Sequence, residues 1–257
     1  MPEIPDIQVF AANLKKIFGG KTLLQIKVLN GKKLKNTERE FNEHLKGKML
    51  KDIYRSGKEL RWIFSNGDVL GMHLMLTGDA KTFQKINEHK FTIVELYFSG
   101  NTSCALTDMM RNANVTLNPT DKPGIDALDK KLNFKSLKEI LKSKAVIKNV
   151  LRDQDLIRGI GNAYSDEILW KSGISPFSIA SAIPDLKIKE LAGNIKVVLK
   201  KAIQQVGKVQ EDTYGEVKDF LQIHTSKKKV SPTGAIIKLE KRGSLKTFYT
   251  DEQKLYN

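Results

Sequence analysis

Past the opening "MPEIPD", apolar residues fall at Ile7, Phe10, Ala11, Leu14, Ile17 and Phe18. That recurrence predicts an amphipathic helix, and the Gly19–Gly20 pair stops it. The next hundred residues change period. "TLLQIKVLN", "MLKDIYR", "LRWIF", "DVLGMHLML", "FTIVELYF" and "SCALTD" are short β-rich runs separated by turn signals such as "SNGD" and "SGN". Short strands so closely spaced predict a sandwich or barrel. "NPTDKPG", at 118–124, reads as a linker. Beyond it, "SLKEILKSK", "VIKNVLRDQ", "NAYSDEILWKSG" and "IKELAGNIKVVLKKAIQQV" return to helical spacing. The tail, from "FLQIH" through "AIIKLEK" and "LKTFYT", reverts to β. The expectation is an α+β chain with four parts. Residues 1–118 form a β-sandwich flanked by helices, 119–134 a linker, 135–221 a helical domain, and 222–257 a terminal β-hairpin.

Charge adds a partner to this picture. Lysine and arginine number 44 against 29 acids, a net charge of +15. Such an excess favours a polyanion, nucleic acid before a membrane surface. No stretch approaches the roughly 20 apolar residues of a transmembrane helix, so no membrane partner is expected. The acidic, proline-bearing start lacks the character of a signal peptide. Cys104 is the only cysteine, which excludes an intramolecular disulfide and a Cys-rich zinc site. His44, His73, His89 and His224 are scattered without ligand spacing. No metal and no cofactor are expected, and a reducing cytoplasm fits.

The N-terminal residues carry candidate chemistry. Methionine is trimmed before small residues, which would leave Pro2 with a free secondary amine. An α-amino group titrates near 7.7–8.0, so about a quarter of such amines are unprotonated at about pH 7.4. A secondary amine that attacks an aldehyde carbon gives a cationic iminium, an electron sink for elimination. Glu3 stands ready to move protons. The same residues also suit a plain helix start, where proline is tolerated and acids complement the dipole. The N-terminus alone leaves both readings open.

"KAVIKNVLRDQDLIRGIGNAYSDEILWKSGISP", at 144–176, is two helices around a glycine turn. It closely resembles the helix–two-turn–helix of the formamidopyrimidine-DNA glycosylase / endonuclease VIII family. The Pro-Glu opening, "YRSGKELRW" and the length of the tail "TGAIIKLEKRGSLKTFYTDEQK" resemble the same family. The resemblance implies a bifunctional glycosylase and abasic-site lyase of base excision repair. It would act on double-stranded DNA carrying oxidised bases or abasic sites, as a monomer, in a bacterial cytoplasm at the nucleoid. Pro2 would be the nucleophile, Glu3 the proton shuttle, and Lys58 an active-site lysine that steadies phosphate. Lys148, Asn162 and Arg111 would hold the DNA backbone. Leu76, in "HLMLTG", would fill the stack that the flipped base vacates. A leucine there points to oxidised pyrimidines first and ring-opened purines next.

Three departures accompany the resemblance. Asp6 stands where the family has glutamate. In "DMMRNANV", Met110 and Asn112 replace the arginine and phenylalanine that would face the undamaged strand. In the tail, Val230, Thr233, Thr250 and Gln253 fill the zinc-ligand positions, which implies a zincless finger. Leu245 occupies the place of the finger's arginine, leaving Arg242 or Lys246 to hold phosphate. A non-catalytic binder of damaged or abasic DNA, and a proline-based tautomerase, are the competing readings.

Overall fold

The computed structural model describes residues 1–209, 216–243 and 245–257. They fall into two compact units, Met1–Asp121 with Val206–Glu216, and Lys122–Gln205 with Val217–Asn257.

The first unit opens with α1 (Ile4–Phe18), whose apolar stripe is the one the spacing predicts. It continues through β1 (Leu23–Val28), α2 (Glu38–Leu45), β2 (Leu50–Ser56), β3 (Glu59–Phe64), β4 (Val69–His73), β5 (Gly78–Phe83), β6 (Thr92–Phe98), β7 (Ser103–Asp108) and β8 (Asn114–Leu117). The strands make two four-stranded antiparallel sheets, ordered β1-β6-β7-β5 and β2-β3-β4-β8. Their apolar faces share one core. Phe18 of α1, Trp62 of one sheet and Phe98 of the other cluster there, with ring centroids 4.8–6.0 Å apart. This is the expected sandwich with flanking helices.

Of the three chain crossovers between the sheets, two matter most for function. One, 74–77, leads from β4 to β5. The other, 109–113, leads from β7 to β8. His73 pairs with Asn114, and Gly78 pairs with Asp108. Both crossovers therefore leave the sandwich at the same edge.

The second unit contains β9 (Ile125–Asp126), α3 (Phe134–Ile140), α4 (Ile147–Arg152), β10 (Ile157–Arg158), α5 (Asn162–Lys171), most of α6 (Asp185–Val209), and the hairpin of β11 (Lys238–Arg242) and β12 (Leu245–Tyr249). Residues 119–134, expected as a linker, contain β9, which pairs in parallel with β10. Helix α6 runs past the second unit, and its last residues cluster with the first. Between α4 and α5, Gly159 takes φ +100°, a conformation open to glycine and disfavoured for other residues. Gln154 spans that turn. Its amide donates to Arg152 O at 2.7 Å and Ile160 O at 2.8 Å, and its oxygen accepts from Gly159 N at 2.8 Å.

The hairpin region closes by hydrogen bonding at the four positions the resemblance assigns to zinc ligands. Val230 bridges Ile236. Thr233 and Thr250 both donate to the Glu252 carboxylate, at 2.8 and 3.2 Å. Gln253 accepts from Thr250 N at 2.9 Å and donates to Ile174 O at 2.7 Å. One carboxylate thus joins two turns that lie 17 residues apart in sequence, from Thr233 to Thr250.

Candidate functional site

Two residues before α1, Pro2 is buried. Glu3 is the N-cap of α1, 4% exposed, and Asp6 is 2% exposed. The two acids form a reciprocal capping box, with Glu3 N donating to Asp6 Oδ2 at 3.0 Å. Aspartate at position 6 therefore reaches far enough to close the box. The Met1 ammonium pairs with Glu216 of the same unit.

Pro2 helps to line a cavity of about 280 Å³ with Met1, Leu76, Thr77, Asp79 and Glu216. Leu76 is 59% exposed and lies on the wall of this cavity. Its loop is tight. Gly78 N donates to Leu74 O at 2.8 Å, and a Cβ at Gly78 would lie 2.2 Å from that oxygen. Only glycine fits there. Lys58 sits in the two-residue turn Gly57–Lys58 between β2 and β3, where Gly57 takes φ +58°, and it is 8% exposed. Neither Lys58 nor Glu3 is part of the cavity wall.

A residue that the sequence reading passed over organises this edge. Asp108, 1% exposed, accepts hydrogen bonds from the Thr77 hydroxyl and from the backbone N–H groups of Met110 (3.0 Å), Asn112 (2.6 Å) and Ala113 (2.8 Å). One carboxylate so ties the Leu76 loop to the 109–113 loop. Burial pushes its pKa up. The donors, Thr77 foremost, outweigh that and hold it below the usual aspartate value. Met109 and Met110, on the tied loop, are 66% and 49% exposed. Arg111 is exposed, with φ +53°, and its guanidinium pairs with no acid among the described residues. It lines a different cavity, with Asn30, Asn87 and His89.

Asp108→Asn is expected to lose about 1.5–3 kcal/mol of stability at neutral pH. Because the folded pKa is depressed, the carboxylate's contribution is fully present above the unfolded value of about 3.9 and vanishes as pH falls through the folded value. Urea titrations at neutral and acidic pH should show the curves of the wild type and the Asp108→Asn variant converging in acid. A constant gap would reject the clamp.

The expected DNA-contact positions Lys148, Asn162, Arg242 and Lys246 lie in the second unit's helices and hairpin. Lys148 is turned inward, at 3% exposure. Its ammonium meets Asp166 Oδ1 at 2.6 Å, Thr247 Oγ1 at 2.9 Å and Lys246 O at 3.2 Å. An ammonium has three protons, so none is left for phosphate in this conformation. In this conformation Lys148, buried beside a fully buried carboxylate, supports the hairpin. Asp166, 0% exposed, also accepts from Phe248 N at 3.0 Å and lies 2.7 Å from His224 Nδ1.

Asn162 is the first residue of α5, and Gly161 holds the N-cap position. Its amide donates to Lys246 O at 2.8 Å, which leaves one amide hydrogen over. Arg242 is engaged. Its Nε lies 2.7 Å from Glu240 Oε1, and its guanidinium carbon stands 5.1 Å from the Phe177 ring centroid. Lys246 is exposed, and its ammonium pairs with no acid among the described residues.

Comparison with known proteins gives the family. A family model described as the formamidopyrimidine-DNA glycosylase N-terminal domain matches residues 1–115, and the H2TH domain of the same family matches residues 124–213. The formamidopyrimidine-DNA glycosylase of Ligilactobacillus salivarius is 32% identical over 206 residues, which is 76% of this chain and 75% of that one. The protein of the same name from Lactobacillus gasseri is 30% identical, over the full length of both. The Lactococcus lactis protein, solved with DNA containing an oxidized pyrimidine, superposes with a TM-score of 0.87 at 25% identity, covering 97% of this chain and 98% of that one. With its two domain models matched and a relative aligned from end to end, this chain belongs to the formamidopyrimidine-DNA glycosylase family, as an enzyme of the glycosylase and abasic-site lyase class.

Proposed function

We propose that Pro2, freed of Met1, attacks C1′ of an oxidised-base nucleotide in duplex DNA. The C1′–N bond breaks, and the base leaves with the bonding pair and a proton. Opening of the sugar leaves an iminium between Pro2 N and C1′. Loss of a C2′ proton then gives an enamine and expels the 3′ phosphate, and a second elimination expels the 5′ phosphate. Water hydrolyses the remaining linkage and restores the amine. Glu3, the next residue in the chain, carries the protons. The observation that carries this reading is the shared cavity wall of Pro2 and Leu76, which brings the nucleophile beside an exposed apolar wedge.

Borohydride reduction on abasic-site DNA tests it. Processed protein should form a covalent adduct that peptide mapping assigns to Pro2, and N-terminally acetylated protein should form none. An adduct on a lysine, or no adduct at all, overturns the reading. The second outcome would leave a non-catalytic binder of damaged DNA.

The wedge residue supports oxidised pyrimidines as the first substrates and ring-opened purines as the next. The Lactococcus lactis relative is solved both with DNA containing an oxidized pyrimidine and with DNA containing Fapy-dG, so it supports both classes and ranks neither. A nicking panel over defined lesions checks it.

On the DNA backbone, Asn162 supplies its second amide hydrogen, Arg111 its guanidinium, and Lys246 the finger's cation. Lys246 is favoured over Arg242 because Arg242 is already paired with Glu240 and stacked on Phe177. Lys246→Ala is expected to reduce the slope of log K against log salt by about 0.9, the value for one phosphate contact. Arg242→Ala should change it less. Equal slopes for Lys246→Ala and the wild type would remove Lys246 from the interface.

A further inference from the structure

The second unit contains a cavity of about 600 Å³, about twice the size of the one at Pro2. It takes no residue from the site described above. Helix α5 contributes Tyr164, Trp170 and Lys171, α6 contributes Val197 and Lys201, and Phe220 closes a further side. Val197 and Lys201 are four apart, so they share a face of α6. The volume lies within the range of small-molecule sites, about 300–1,000 Å³.

Charge narrows the ligand. Lys171 and Lys201 are exposed, and their ammonium groups pair with no acid among the described residues. Glu167 is the one carboxylate in the wall. Its oxygens accept from the backbone N–H groups of Gln222, Ile223 and His224 at 2.8–3.0 Å, which turns the charge away from an incoming ligand. The Lys228 ammonium is taken by Leu221 O at 2.6 Å. The cavity thus offers aromatic faces flanked by two uncompensated cations. Stacking surfaces beside free ammonium groups are the elements that hold a base and its phosphate.

We infer that this cavity is a second nucleotide-binding site, with the base against Trp170 and Phe220 and the phosphate on Lys171 and Lys201. The nucleotide can arrive free or as part of a single strand of DNA. Nothing in this inference depends on Pro2.

Trp170 provides the readout. The chain has two tryptophans, and the other, Trp62, is fully buried. Full-length protein is titrated with dGMP, with a short oligothymidylate, and with inorganic phosphate alone. Saturable quenching by dGMP or by the oligonucleotide, up to about 1 mM ligand, is the expected result. Stronger quenching by dGMP identifies a free nucleotide, and stronger quenching by the oligonucleotide identifies a strand. Phosphate alone should not quench. The Lys171→Glu/Lys201→Glu variant should bind about tenfold more weakly, while its circular dichroism and its nicking of lesion DNA remain those of the wild type. Absence of saturable quenching by either nucleotide ligand overturns the inference. So does quenching that survives the double charge reversal. Failure here leaves borohydride trapping at Pro2 untouched, so the two readings fall separately.

Discussion

Asp166→Ala is expected to destabilise the second unit by about 3–5 kcal/mol, the cost of stranding a buried charge. The substitution leaves the Lys148 ammonium, 3% exposed, without its counter-ion. It also removes the acceptor for Phe248 N and the partner of His224 Nδ1. These losses act on one network, so they do not add as independent terms. Lys148→Met should cost a similar amount, because it strands the carboxylate instead. The double substitution Lys148→Met/Asp166→Leu should recover much of either loss, since an apolar pair of similar volume replaces the ion pair. Recovery will be incomplete, because Phe248 N and His224 keep no partner. Urea unfolding of the three variants, followed by a probe in the second unit, measures the coupling. Single costs below about 1 kcal/mol, or a strictly additive double variant, would show that the pair behaves as a solvated surface contact. The same network fixes Lys246 O, so Asp166→Ala should also weaken DNA binding through the hairpin's position.

That network marks the limit of what the sequence reveals. Lys148 and Asp166 are 18 residues apart, on two helices joined by a turn, and no periodicity links them. Read alone, Lys148 is one more cation in a basic chain, and its inward turn depends on tertiary packing. Six of the eight sandwich strands were legible because they alternate or run apolar between turn residues, and the core residues Trp62 and Phe98 sit inside such runs; β5 and β8 fall outside them. The start of α1 was legible too, in a proline and acids that suit a first turn, whereas the capping box between Glu3 and Asp6 emerged only in the structure. Asp108 was half visible. An aspartate ahead of a non-repetitive stretch is a local signal for backbone capture, but its bond to Thr77 joins segments 31 residues apart. The parallel pair of β9 and β10 is two residues on each side, too short for any period to register. The break between units within α6 left no trace, because the helical spacing continues through it.

Glu3→Gln is the sharpest test of the reacting end. Glu3 has two candidate duties, capping α1 and moving protons for Pro2, and the substitution separates them. Glutamine keeps a side-chain oxygen that accepts from Asp6 N, so the capping box survives. Stability should change by less than about 1 kcal/mol, the usual value of a whole N-cap. Glutamine cannot take or release a proton in the working range. The rate of base excision should therefore fall by about 10²–10⁴, the span of general acid–base catalysis. Single-turnover kinetics on a lesion-bearing duplex, beside a thermal melt, reads both quantities from one preparation. Binding of the same duplex should stay near wild type, since no proposed phosphate contact is touched. If excision proceeds within about threefold of wild type while the melt is unchanged, Glu3 is a cap and nothing more, and the protons that Pro2 requires come from another group. A lowered melt with a lowered rate would point to lost helix geometry, and Asp6→Asn, which leaves the Glu3 carboxyl intact while weakening the same box, would then reproduce both losses.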